Sequence, residues 1–146
     1  MSEFEQLGTW LTPLLNRMTA SERTKLSRKI SIEFRKRTRA RISSQLDVDG
    51  QPFIPRKSNE GENAGRPMFR ELSKFRWLRT QATASTASVG FGGGAAKVAS
   101  VHQQGKLSEI KKGGTKKYPY PRRQLIGFSN ADHRWIESMI LEHLDQ

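Results

Sequence analysis

Residues 19–45 read TASERTKLSRKISIEFRKRTRARISSQ, and the reading of this stretch decides the fold. Thr19 and Glu22 stand at capping-box spacing, where hydroxyl and carboxylate each satisfy an amide left open in the first turn of a helix. No Gly or Pro follows until Gly50, so the stretch predicts a helix from about Ser21 to about Gln45, roughly 25 residues or ~37 Å long. Leu26, Ile30, Phe34, Thr38 and Ile42 step by four, and each step advances about 40° around the axis. The apolar stripe therefore spirals, and its two ends are expected to meet different partners. Lys25, Arg28, Lys29, Arg35, Lys36 and Arg39 cover most of the remaining surface, with Ile32 well away from the stripe. Two readings of that outer face stand open: a solvated face with a stray isoleucine, or a surface that touches another subunit or a polyanion.

Working outward, Phe4, Leu7, Leu11, Leu14 and Leu15 recur at helical intervals, a short amphipathic helix that Pro13 bends or ends. Residues 46–67 are rich in Gly, Pro, Asn and Asp, with a turn at Asp49-Gly50 and a flexible tip from Gly61 to Gly65. Met68, Phe69 and Leu72 fit one helical turn. Phe75–Ala82 and Thr86–Phe91 read as two strands of an antiparallel hairpin. Ala95–Gln104 is a short helix ended by Gly105, Lys106–Lys117 a Gly/Lys-rich loop, and Tyr118–Phe128 an edge strand, because Pro119 and Pro121 cannot donate ladder bonds. Ser129 and Asp132 cap a last helix whose Trp135, Ile136, Met139, Ile140 and Leu144 share one face, which is expected to cover the sheet. The fold class is α+β: a small, mostly antiparallel β-sheet flanked by a long N-terminal basic helix and a C-terminal amphipathic helix. The expected organisation is a single domain over 1–146, with a helical part (1–45), a loop (46–67) and the sheet, short helix and last helix (68–146).

The chain has 146 residues and a formal net charge of +12, from 26 Lys+Arg against 14 Asp+Glu. Residues 21–45 hold nine bases and two acids, residues 105–128 seven bases and one acid, and residues 129–146 four acids and one base. A basic helix, a basic loop and an acidic end on one small chain suit self-association as well as nucleic acid. The absence of cysteine excludes disulfides, thiolate-bound zinc and a cysteine nucleophile. The apolar runs are too short for a membrane span, and acids stand at the N-terminus where a secretory signal carries bases; no membrane partner is expected.

Little in the chain points to catalysis. Gly90-Phe91-Gly92-Gly93-Gly94-Ala95 fits a dinucleotide-loop pattern between a strand and a helix, but the next acid, Glu109, falls in the Lys/Gly loop and not at a strand end. His102, His133 and His143 lack the spacing that puts two ligands on one helix face. No G-x-S-x-G elbow is present. The expectation is therefore no enzyme, no cofactor, no metal and no catalytic residue. Nucleic-acid binding is the rival reading: clustered Arg and Lys attract phosphate, and Arg76, Trp77 and Arg79 interleave an aromatic with bases, although no known nucleic-acid-binding signature appears.

Three stretches in order resemble the phage virion morphogenesis or tail completion family of contractile-tailed temperate phages. They are Arg41-Ile42 followed by Asp49-Gly50-Gln51-Pro52-Phe53-Ile54-Pro55-Arg56-Lys57; Val101-His102-Gln103-Gln104-Gly105; and Tyr120-Pro121-Arg122-Arg123-Gln124-Leu125-Ile126-Gly127-Phe128-Ser129 with Asp132. Phe53 stands where the family often has Trp. The resemblance implies a non-enzymatic virion component that finishes the tail and helps join it to the head, as a ring at the head-proximal end. It implies a small α/β domain with a sheet flanked by helices, assembled as a homohexamer. Partners would be further copies of itself, tail tube or sheath proteins, head-tail connector proteins and, non-specifically, DNA. The location would be the neck region of the virion tail, after synthesis in the host bacterial cytoplasm. The candidate contact residues are Ile32, Arg35, Arg39 and Arg41 on the long helix, Phe53, the loop lysines Lys111, Lys112, Lys116 and Lys117, then Tyr118, Tyr120, Arg122 and Arg123, and the acids Glu137, Glu142 and Asp145. Arg35, Arg39 and Arg41 are expected to meet those acids on a neighbour, with the apolar candidates supplying strength, because exposed ion pairs are worth only about 0–1 kcal/mol each.

Overall fold

The computed structural model describes residues 15–56, 66–109 and 114–145. Its elements are α1 (Ala20–Ser43), β1 (Leu78–Ala82), β2 (Ala87–Phe91), α2 (Ala95–Gln104), β3 (Leu107–Glu109), β4 (Lys117–Pro119) and α3 (Asn130–Leu144), an α+β arrangement. The strands form two separate two-stranded sheets, β1 with β2 and β3 with β4. The short helix expected around Phe4 to Leu14, the Gly61 to Gly65 tip and the lysines Lys111 and Lys112 lie outside the described residues. The chain divides into two compact units: Met1–Lys36, Thr80–Val89 and Phe128–Gln146 form the first, Arg37–Arg79 and Gly90–Gly127 the second.

The first unit is built on the N-terminal part of α1 and on α3. Both helices begin as their sequences require. Glu22 N–H donates to Thr19 Oγ1 at 3.1 Å and Thr19 N–H to Glu22 Oε2 at 3.3 Å; Asp132 and Ser129 make the same reciprocal pair before α3, both bonds at 3.1 Å. Leu26, Ile136 and Ile140 form the buried cluster, with Leu15, Met18, Ile30, Trp135 and Leu144 packed on it. Phe34 stacks on Phe128 with centroids 4.8 Å apart and lies 6.5 Å from Trp135. Ile136, Ile140, Trp135 and Leu144, on the face that the sequence marks as apolar, thus join α1 residues in this cluster. The hairpin turn closes through Thr83 and Thr86, whose backbone and hydroxyl groups bond each other.

The second unit takes the other end of the α1 stripe. Ile42, Phe53, Ala99 and Leu125 form its buried cluster, with Met68, Phe69, Phe91 and Ile126 against it. The spiral of the stripe therefore serves two cores, as its 40° steps require. Past its end, α1 stops with Leu46 N–H donating to Arg41 O and Gln45 N–H to Ile42 O, a Schellman pattern with Gln45 at φ 60° where glycine is usual. The Gln45 side chain offsets that strain by donating to Ile42 O at 2.9 Å and to Met68 O at 2.8 Å while accepting from Met68 N–H. The Asp49-Gly50 turn forms as read, with Asp47 Oδ1 accepting from Asp49 and Gln51 amides at 2.9 Å each.

Three boundaries differ from the sequence reading. Residues 75–77 are turn, not strand, because the Trp77 and Leu78 amides both donate to Lys74 O. The expected Lys106–Lys117 loop contains the antiparallel pair β3–β4, with Leu107 opposite Pro119, Ser108 opposite Tyr118 and Glu109 opposite Lys117. The expected strand from Tyr118 to Phe128 is β only through Pro119. Beyond it Tyr120 N–H donates to Lys106 O, next to β3, and from Arg123 to Ile126 the backbone bonds to His102 O and the Gln103 side chain.

Candidate partner-binding cleft

The segment after β4 is held by the last turn of α2. Gln103 Oε1 accepts from the Leu125 and Ile126 amides at 2.7 and 3.0 Å, and its Nε2 donates to Ile126 O at 2.8 Å. One residue earlier, His102 O accepts from Arg123 N–H at 2.7 Å. Gly105 caps α2 in the left-handed region at φ 67°, and a Cβ there would lie 3.1 Å from the Arg122 backbone nitrogen. Only glycine fits both demands.

Arg123 is the centre of this arrangement. Its side chain is 4% exposed. Nε donates to Ile54 O at 2.7 Å, Nη2 to Pro55 O at 3.0 Å and Nη1 to His102 Nδ1 at 3.0 Å. Burial lowers its pKa from the ordinary arginine value, Tyr118 and Tyr120 act in the opposite direction, and Arg56 adds to the lowering; the guanidinium keeps its proton all the same. A guanidinium can only donate, so His102 accepts through a bare Nδ1. Burial, and then the Arg123 charge, push the His102 pKa down to about 4, which keeps the ring neutral at pH 7.

Around this pair runs a file of edge-to-face rings: Phe53 to Phe69 at 5.3 Å, Phe69 to His102 at 4.8 Å, His102 to Tyr120 at 5.2 Å and Tyr120 to Tyr118 at 5.0 Å. Phe69 holds φ 65°, unusual for a non-glycine residue and tolerated only where the surroundings fix it. The rings wall an open cleft of about 710 Å³, with Met68, Leu72 and Val98 as its apolar lining and Arg56, Arg66, Arg70 and Arg123 as its cations. The one carboxylate among its described lining residues, Glu71, pairs with Lys74 at 3.0 Å. The chemistry offered is a fixed positive rim over an apolar and aromatic floor, which recognises an anion carrying an apolar anchor.

The contact candidates fall into three groups. Tyr118, Tyr120 and Arg123 line the cleft together. Ile32 is 44% exposed on the outer face of α1, Arg35 beside it is half-buried, and Arg39, Lys116, Lys117, Arg122, Glu142 and Asp145 are exposed, with Glu137 half-buried. Phe53 and Arg41 are taken up inside the chain: Phe53 is 5% exposed in the core, and Arg41 donates to Leu46 O and Leu125 O. Packing constrains part of the glycine run as well. A Cβ on Gly92 would lie 2.8 Å from the Arg79 guanidinium, and one on Gly93 3.1 Å from the Trp77 ring, whereas Gly90 and Gly94 have nothing within 4 Å. Among the described residues no group of three or more His, Asp or Glu could hold a metal, and no helix is long and apolar enough to cross a membrane. Sequence reasoning missed Gln103, Gln45 and the closeness of Gly105 to Arg122; only the first and last lay in a stretch with a visible signal, the Val101–Gly105 motif.

Arg123 thus joins the three stretches that carried the family resemblance, reaching Ile54 and Pro55 in the first and His102 in the second from its own place in the third. Fold and site together define a small α+β protein whose second unit holds a buried arginine beside a basic cleft lined with aromatic rings. The chain belongs to the phage virion morphogenesis family, which it matches over residues 2–145. It is 36% identical over 151 aligned residues to tail completion protein S of Escherichia phage P2, with the whole of both chains covered. No solved structure matches it.

Proposed function

We propose that this chain is a structural virion protein that completes a phage tail and helps join tail to head, acting as a homohexameric ring at the head-proximal end. The full-length similarity to tail completion protein S carries this reading. The distribution of charge supports the self-association it needs: a basic helix face and a basic cleft stand on the same chain as an acidic α3 end, so one copy offers both halves of an electrostatic contact. In this reading the tail tube or sheath and the head-tail connector are the further partners, the neck of the virion is the location, and synthesis is in the host cytoplasm. No catalytic step and no cofactor enter.

The test is electron microscopy of particles made without the protein. Full heads accumulating apart from tails are expected; normal joined particles would sink the joining role. Light scattering of the purified chain, alone and with tail tubes, addresses the ring, and a monomer under both conditions would remove it.

A second reading has one specific observation in its favour. The Arg76 guanidinium lies 4.7 Å over the Trp77 ring, an exposed cation and aromatic together on a chain of charge +12. Affinity for mixed-sequence duplex that falls steeply with salt would support a nucleic-acid-binding module, and no binding at low salt would end that reading.

A further inference from the structure

We infer that the cleft around Tyr118 and Tyr120 is the socket for the acidic end of α3 from a second copy of this chain, with Leu141 as the anchor. This rests on the self-association proposed above and names the surfaces that make it.

The socket comes first. Its floor is apolar and partly open, with Val98 46% exposed although it stands beside Met68 and Phe69. Its exposed rim carries Arg66 and Arg70, while Arg123 beneath is locked to two carbonyls and an imidazole. Among the described lining residues four arginines stand against one carboxylate, Glu71, which Lys74 engages, so that lining is net positive. The occupant must bring carboxylates and an aliphatic side chain in one short segment.

Residues 129–145 hold four acids against one base. Asp132 is spent on the capping box. Of the other three, Glu137 and Asp145 stand one turn before and one turn after Leu141, which is 37% exposed, on the same face of the helix, while Glu142, the next residue, lies about 100° round the axis. An exposed leucine with an acid one turn to either side complements an apolar floor flanked by arginines.

The outer face of α1 is the competing receptor, and it fits less well. It is convex, and α1 turns one of its candidate cations, Arg41, inward to two carbonyls. Pairs between two convex, solvated helix faces are worth only about 0–1 kcal/mol each. In the cleft the leucine is buried and the surrounding pairs are partly shielded from water, which strengthens them. A nucleic acid is disfavoured as occupant because a phosphodiester chain has no aliphatic group for the floor, and Arg123 is too buried to reach it.

The absence of cysteine makes a clean test possible. Val98→Cys, Leu141→Cys and Ile32→Cys each place one thiol at an exposed apolar position of the full chain, so any disulfide joins two copies. Tagged Val98→Cys mixed with untagged Leu141→Cys should give a heterodimer on mild oxidation, and tagged Ile32→Cys mixed with Leu141→Cys should not. Adding Arg66→Glu and Arg70→Glu to the Val98→Cys chain should weaken that association at least about tenfold. A heterodimer through Ile32 and not Val98, or through neither while the wild-type chain sediments as an oligomer, overturns the socket and leaves self-association standing. A wild-type chain that sediments only as a monomer refutes self-association and the socket with it. An unchanged crosslink in the Arg66→Glu/Arg70→Glu chain, with duplex DNA binding lost, assigns the cleft to nucleic acid and also overturns the proposal.

Discussion

Arg123 Nη1 donates to His102 Nδ1 across 3.0 Å, a bond between a permanent cation and an imidazole that must stay neutral to accept it. The remaining donors of Arg123 go to the carbonyls of Ile54 and Pro55, so one side chain ties α2 to the loop that follows α1. This pairing places a charge where an aliphatic core residue would have packed, and it organises the backbone on three sides.

Replacing Arg123 by lysine should therefore be costly although the charge is kept. A lysine cannot present a planar fork to three acceptors, and buried acceptors left unmet cost about 1–3 kcal/mol each. Arg123→Lys is expected to lose about 3 kcal/mol of stability in denaturant unfolding. Arg122→Lys, at an exposed neighbouring position, should stay within about 0.5 kcal/mol. Equal effects at the two positions would show that Arg123 does not organise the core.

The same bond sets a pH dependence. The His102 pKa is about 4 in the folded chain against 6.5 in the unfolded one, so the unfolded state binds more protons between these values. Stability must then rise with pH through the window, and is lost as pH falls from about 6.5 toward about 4. Because His102 is partly open to water, the loss is set at about 1–2 kcal/mol, below the full shift. Urea midpoints across this range should show the slope, and His102→Gln should flatten it.

Much of this arrangement could be read before the structure, and the part that could not has a physical reason. The capping boxes at Thr19 and Ser129, the four-residue stripe of α1 and the Gly105 stop all rest on local rules, and all three formed. Residues 123–126 failed as a strand because their hydrogen bonds go to Gln103 and His102, partners some 20 positions away that no periodicity reveals. Arg123 carried family weight in the sequence, but its burial did not show, since arginine is so often exposed. Phe53 and Arg41 were legible as notable residues while the direction in which they face was not.

Gly105 offers a sharper backbone test. Gly105→Ala forces a Cβ into the left-handed region and to 3.1 Å from the Arg122 nitrogen, and it should cost about 1–3 kcal/mol. Gly94→Ala, where nothing lies within 4 Å, should be neutral or slightly stabilising in thermal unfolding. A harmless Gly105→Ala would mean that residues 120–127 can shift away from α2, against the clamp that Gln103 makes.

Ile32 separates folding from assembly. It is 44% exposed on α1, and Arg28 and Lys36, each one turn away, are exposed as well, so Ile32→Glu removes no buried contact and should move the unfolding midpoint by less than about 0.5 kcal/mol. If the outer face of α1 meets another virion component, a glutamate among its bases removes an apolar contact and alters the local charge at once. Ile32→Glu supplied in place of the wild-type chain should then lower the yield of joined particles while leaving the purified protein folded and its self-association through Leu141 intact. Wild-type particle yields with Ile32→Glu would make that face a solvated one and leave the cleft as the surface through which the chain binds.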